Sequence, residues 1–211
     1  MPATRKKETS SLDGTARRRA IAMIALELFK AHGYAGTSLA DVARKVGTTK
    51  GALYHHFETK EELFISALAI DTSHPLEAIE HLAAQTADPA LRWREALGHA
   101  HDAVFKRAMG HMLPVLAQTG NQVPAVARDY HQQFIERFRK GLRSIYADAA
   151  RTAAYRTLNA EDVDQIVFGP LLANALTQSL MANTGDLNSA NLGRTDRASF
   201  IAMIERLTRC D

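Results

Sequence analysis

A glycine at position 47 separates two short amphipathic runs within TSLADVARKVGTTKGALYHHFETK, residues 37–60, and leaves this segment few ways to fold. Leu39, Val42, Ala43 and Val46 recur at the spacing that puts four apolar side chains on one helical face. Ser38, with Asp41 three residues on, supplies an N-cap box, since both side chains can satisfy orphan amides of the first turn. Gly47 stops that helix, because a left-handed residue past a helix end is cheap only without a Cβ. A second short helix starts near Thr49 and buries Leu53 and Phe57, one turn apart. Helix, tight glycine turn and helix over about 38–57 is the layout of a helix-turn-helix.

The residues that the second helix leaves outside carry the chemistry. Thr48, Thr49, Lys50, Gly51, Tyr54 and His55 offer hydroxyls, a cation, a phenol, an imidazole and one position with no side chain. That set suits phosphate and base-edge contacts, with Gly51 letting a partner come close to the backbone. As a purely structural choice, an exposed mid-helix glycine costs about 1 kcal/mol relative to alanine and gains nothing. The charge is divided to match. Residues 1–60 hold eleven Lys/Arg against five Asp/Glu, whereas residues 61–211 hold fifteen against eighteen. A basic N-terminal quarter on a slightly acidic body points to a polyanion partner for that quarter alone.

Elsewhere the chain reads as helical throughout, with no alternating strand pattern and no internal repeat. Residues 1–14, with Arg5-Lys6-Lys7, lack apolar periodicity and are expected to form a flexible basic arm that is solvated or reaches along DNA. A first helix from about Thr15 to His32 carries Ile21, Ile24, Ala25, Leu28 and Phe29 as its stripe, with Arg17, Arg18 and Arg19 entering from the solvent side and Gly33 ending it. Thr59 caps a linking helix over 60–72, with Glu62 at the capping-box position; Lys60 in its first turn opposes the helix dipole unless a phosphate sits there. Pro75 is read as a break, Pro89 opens a segment to about Met109, and Pro124 begins a long helix to about Tyr146 with Val126, Tyr130, Phe134 and Phe138 on one face. Glu161 to about Asn183 is the most apolar segment, and Pro170 should kink it or shift its boundary. A Gly/Asn/Ser loop over 184–195 leads to a last helix, Asp196 to about Arg209.

The block from Ala16 to about Ile70 resembles the DNA-binding domain of the TetR family of bacterial transcriptional regulators. ALELFKAHGYAGTSLADVARKVG is similar to the family's first helix, glycine turn and second helix, and TTKGALYHHFETKEELF to its recognition helix and the start of the linking helix. The match covers about a quarter of the chain; the GPLL at residues 169–172 is similar to one type of C-terminal domain in the family. The resemblance implies an all-α protein with an N-terminal three-helix DNA-binding domain, 15–60, and a C-terminal helical domain, 61–211, for effector binding and dimerisation. It implies a homodimer on double-stranded palindromic operator DNA, with recognition helices in successive major grooves. Carried over by position, Thr49, Lys50, Gly51, Tyr54 and His55 face DNA, Lys60, Thr37 and Ser38 contact phosphate, and Leu53 and Phe57 are core. His56 is ambiguous, and Ala52 offers only a methyl to a base.

Two functional classes follow: a DNA-binding regulator, read as a repressor tuned by an unidentified small-molecule effector, or an all-helical binding protein or enzyme with an incidental basic face. Against an enzyme, the sequence has no nucleophile–base motif, phosphate loop or metal-ligand spacing; Glu61 and Glu62 are adjacent, and His99, His101 and His111 lack supporting ligands. No cofactor or metal is therefore expected. No apolar run approaches the roughly 18 residues of a membrane span, the segment after Arg19 is too amphipathic for a signal peptide, and the sole cysteine, Cys210, precludes an internal disulfide, which suits a cytoplasmic location. Trp93, Phe105, Met109, Met112, Phe134, Phe138 and Phe168 are candidates to line an effector pocket. Val167, Leu171, Leu172, Leu176, Phe200 and Ile204 are candidates for a four-helix dimer seam.

Overall fold

The structure, a computed structural model, describes the backbone of residues 4–105, 115, 119, 123–182 and 195–210, and the side chains of residues 14–104, 115, 119, 123–173 and 195–210. The elements are α1 (Thr4–His32), α2 (Leu39–Val46), α3 (Lys50–Tyr54), α4 (Lys60–Ala84), α5 (Pro89–Phe105), α6 (Pro124–Tyr130), a π-helical turn (His131–Ile135), α7 (Glu136–Ala150), α8 (Ala160–Ala182) and α9 (Arg197–Thr208). Among the described residues no strand forms, and an isolated bridge pairs Tyr155 with Arg209. The all-α expectation holds. Two compact units divide the chain: Met1–Asp71 with Val115–Tyr130, and Thr72–Pro114 with His131–Asp211.

In the first unit, the 3.6-residue stripe of α1 becomes its core. Ile21, Ala25 and Phe29 are buried with Val42 of α2, Leu53 of α3, Phe57, and Leu63 and Phe64 of α4. Removing the larger of these side chains from water is worth roughly 1.5–3 kcal/mol each, which explains how the short α2 and α3 are held against α1 and the start of α4. Phe29 meets Phe64 edge-on at a centroid distance of 4.8 Å, and Tyr34 packs beside Phe64 at 5.1 Å. The turn glycines Gly33 and Gly47 lie at φ 70° and 74°, as the sequence requires. One boundary differs from expectation: residues 4–14, read as a flexible arm, continue α1. The stretch lacks an apolar stripe, yet holds no proline, and Gly14 alone costs only about 1 kcal/mol.

In the second unit, Trp93 and Tyr146 are fully buried with ring centroids 4.9 Å apart. The Tyr146 hydroxyl donates to the Arg156 carbonyl at 2.9 Å, and burial pushes its phenol up to about 12. Gly141 lets α7 approach Ile79 so closely that a Cβ there would collide with the Ile79 side chain. Pro75 does not break the chain: α4 runs through it to Ala84, and α8 runs through Pro170 with its boundary unmoved. An interior proline costs about 3 kcal/mol or more. Burial of Leu76, Ile79 and Leu82 after Pro75, and of Val163, Val167 and Leu171 around Pro170, rewards continuing each helix. Pro124 takes the first helical position, where its missing amide proton is no loss. The loop read over 184–195 lies outside the described residues except at Thr195.

Candidate nucleic-acid interface

The interface is built on α2 and α3. Ser38 caps α2: its Oγ accepts from the Asp41 amide at 3.1 Å, and the Asp41 carboxylate accepts from the Ser38 amide at 3.1 Å, the reciprocal box that the sequence spells. The Ser38 hydroxyl also donates to the Asp41 carboxylate at 2.5 Å; this bond first, and the Ser38 amide second, hold the Asp41 carboxyl below its usual range. At the other end, the Thr48 amide donates to the Ala43 carbonyl at 2.9 Å across the left-handed Gly47. Thr49 caps α3 by accepting from the Ala52 amide at 3.1 Å, which leaves its hydroxyl proton available outward. Leu53 and Phe57 are both fully buried, so the opposite face of α3 is fixed toward solvent.

On that face Thr49, Lys50, Gly51, Tyr54 and His55 are exposed, with Thr48 and Ala52 half-buried. Lys50 Nζ lies 5.7 Å from the Tyr54 ring centroid. A Cβ built on Gly51 would meet nothing nearer than Thr49 Oγ1 at 4.0 Å, so nothing within the fold explains a glycine there. The open backbone is a surface to which an outside partner can come close. Ser38 is exposed at the start of α2. Thr37 is placed differently from expectation: it is buried, and its hydroxyl lies against the Leu28 and Gly33 carbonyls at 3.2 and 2.9 Å, tying α1 to α2 instead of facing outward. The helix-start pattern alone does not reveal these carbonyl partners of Thr37.

Lys60 opens α4 half-buried, with Nζ 4.1 Å from the centroid of the Tyr34 ring. Burial lowers its pKa from the ordinary lysine value, against a smaller opposing pull from Glu61. A cation held over a ring at a helix N-terminus, partly stripped of water, is poised for an anion. The sequence reading missed Arg18. It was placed on the solvent side, yet its guanidinium donates to the His56 carbonyl and, at 2.6 Å, to Glu62, and lies 4.1 Å from the Phe57 ring centroid. The signal was available: Arg18 precedes Ala22, Ala25 and Phe29 by four, seven and eleven positions, and so falls on the buried stripe.

The second unit holds a cavity of about 490 Å³ between α5, the π-helical turn, α7 and α8. Of the expected pocket residues, Phe134, Phe138 and Phe168 line it. Trp93 does not; it is wholly enclosed against Tyr146. Met109 and Met112, and the side chains of Phe105 and Leu176, lie outside the described residues. Of the expected dimer seam, Val167, Leu171, Phe200 and Ile204 are buried within this one chain, so they are core, and Leu171 also borders the cavity. An apolar helical stripe shows that a face is covered, and leaves open whether the cover is the same chain or a second copy. Leu172 is exposed at 49 % and borders the cavity as well. Among the described residues, no group of three or more His, Cys, Asp or Glu is placed to hold a metal, and no helix is long and apolar enough to cross a membrane.

Comparison with known proteins follows the same division. Residues 24–67 match the family model described as bacterial regulatory proteins, tetR family. The regulator AcrR of Shigella flexneri is 37 % identical over 97 residues, which cover 46 % of this chain and 45 % of that protein. QacR of Staphylococcus aureus is 42 % identical over 50 residues, covering 24 % and 27 %. The chain thus spans about half or less of the length of the curated relatives it matches. Solved structures extend the likeness in fold to nearly the whole chain. A TetR/AcrR-family regulator from Thermobifida fusca superposes with TM-score 0.59 at 24 % identity, covering 91 % of this chain and 96 % of that one. FadR of Bacillus subtilis, solved in complex with stearoyl-CoA, gives 0.64 at 16 % identity, covering 87 % and 95 %. An N-terminal helix-turn-helix domain followed by a helical domain is the fold these structures share with the chain.

Proposed function

We propose that this chain, whose residues 24–67 match the model of the tetR family of bacterial regulatory proteins, is a sequence-specific DNA-binding transcriptional regulator that acts as a homodimer on a palindromic operator. The observation that carries the reading is the outward face of α3. Gly51 stands in open space between exposed Lys50 and exposed Tyr54, on a helix whose opposite face is anchored by Leu53 and Phe57. Lys50 and Lys60 supply phosphate contacts that set register, and Thr49, Tyr54 and His55 reach toward base edges. Residues 15–60 form the DNA-reading domain, and residues 61–211 the effector and dimerisation domain. The cavity beside Phe134, Phe138 and Phe168 receives a small-molecule effector. The stearoyl-CoA held by the structurally similar FadR supports a ligand-bearing domain of this general kind.

The regulator acts as a repressor in the cytoplasm, without catalysis. An effector shifts operator affinity only by preferring one separation of the two recognition helices over another. The test is a gel shift on the DNA flanking the chain's own gene. Saturable binding to a palindrome that weakens steeply with salt is expected. No shift at low salt across all flanking DNA overturns the reading.

A further inference from the structure

The polar wall of the cavity is already spent on itself. Arg139 borders the cavity, and its Nε donates to Asp164 Oδ2 at 2.8 Å while its Nη2 donates to the same oxygen. Its Nη1 donates to Glu136 at 3.1 Å. From the next turn of α7, Arg143 donates to Asp164 through Nε at 3.0 Å and through Nη2. Asp164, itself 5 % exposed, thus accepts four N–H groups from two guanidiniums, about as many as a carboxylate can take. Its carboxyl is held below the usual range: burial, the largest single influence, works against this, and the Arg143 and Arg139 hydrogen bonds together outweigh it. Two cations, Arg139 and Arg143, face two anions, Asp164 and Glu136. The cluster is neutral, and each nitrogen of the Arg139 guanidinium already donates one hydrogen bond within it.

Most of the rest of the described lining is hydrocarbon. Phe138 meets Phe134 at 5.4 Å and Phe168 at 6.1 Å, the latter edge-on, so the wall presents ring faces and edges. His131 and Gln165, both exposed, are the other polar residues among the described lining. Among the described lining, an ionised ligand group entering here would have to compete with the neutral cluster or lose its water without an unpaired opposite charge, and both are costly. The size lies within the range of about 300–1,000 Å³ typical of sites for drug-sized molecules.

We propose that this cavity selects an uncharged, predominantly hydrocarbon or aromatic ligand with no more than a hydroxyl- or carbonyl-type polar group, placed toward His131 and Gln165. The inference rests on the effector-binding reading above and narrows the class of effector. It sets this chain apart from a site built for a carboxylate or a quaternary ammonium.

The experiment uses the full-length protein and the uncharged dye N-phenyl-1-naphthylamine, whose fluorescence rises in apolar surroundings. Three competitors with one chain and different heads then displace it below their micelle concentrations: dodecanol, dodecanoate and dodecyltrimethylammonium. Dodecanol should displace the dye at least tenfold more tightly than either ion. Leu172→Arg, at the exposed border, should weaken dye binding at least tenfold with the circular dichroism melt unchanged. Arg139→Gln, which leaves the cluster one positive charge short, should improve displacement by the ammonium relative to dodecanol. Equal or tighter binding of either ion by the unaltered protein overturns the proposal, as does failure of the dye to bind. A gel shift run beside it separates the two readings. DNA binding that ignores dodecanol while dodecanol fills the cavity overturns effector control and leaves the ligand class standing.

Discussion

Arg18 donates to the Glu62 carboxylate across 2.6 Å, and so ties the first helix to the start of the fourth. The same guanidinium covers the Phe57 ring and holds the His56 carbonyl, so the chain leaving α3 is fixed by one side chain. Arg18→Ala should lower the unfolding free energy by about 1–2 kcal/mol, since charge-assisted bonds are worth somewhat more than neutral ones and this pair is partly exposed. Urea denaturation checks the cost, and operator affinity should fall with it as α3 loses its anchor.

Acid should expose the same bond. The Arg18 hydrogen bond, foremost, holds the Glu62 carboxyl below its ordinary 4.5. A depressed carboxyl contributes stability above its unfolded pKa and loses it as pH falls through its folded value. Stability of the protein should therefore drop below about pH 4.5 with a component that Glu62→Gln removes, read from urea midpoints taken across that window.

Lys60 gives a prediction of opposite sign. Its pKa in the free protein lies below the ordinary 10.5, and a phosphate beside it would raise that pKa again. DNA binding then takes up a proton, so affinity should fall as pH rises through the lowered value, and Lys60→Arg should flatten that fall. Lys60→Ala and Lys50→Ala should each weaken specific and random DNA alike and reduce the salt slope by about 0.9. Fluorescence anisotropy titrations at several salt concentrations read both effects.

Gly51→Ala separates folding from binding. The added methyl meets nothing nearer than 4.0 Å, so the unfolding free energy should hold or rise, by up to about 1 kcal/mol of helix propensity. Operator affinity should fall because the methyl occupies the space where DNA would approach. A variant with unchanged affinity would remove Gly51 from the interface.

Gly141→Ala should act on folding alone. The new Cβ collides with the branched side chain of Ile79, which has little room to rotate away, and overpacking of this kind costs about 1–3 kcal/mol. Adding Ile79→Ala should recover part of the loss, so that the double variant is less destabilised than the sum of the two singles.

What could be read in the sequence was local. The box of Ser38 and Asp41, the turn at Gly47, the cap at Thr49 and the buried pair Leu53 and Phe57 each depend on residues within a few positions of one another, and each formed as spelled. Long-range partners were not legible. Asp164 meets Arg139 and Arg143 from more than twenty residues away, and no spacing rule announces it. Phe200 and Ile204 read equally well as core or seam, because a stripe records burial without its source. Pro75 misled for a related reason: its local cost is fixed, whereas the packing that offsets it comes from other helices.

The shortness of α3 limits how much a single copy can know about its target. Five helical residues span about 7.5 Å, little more than two base-pair steps. Two fully read pairs would single out about one position in sixteen of random DNA, while a bacterial genome offers about a million or more competing positions. In the proposed homodimer, most of the addressing would therefore come from repetition of the reading head at a fixed separation and from the shape of the DNA between the two heads. Selection on such a protein acts on spacing as strongly as on side chains, and an operator lengthened by half a helical turn, with every contacted base intact, should be invisible to it.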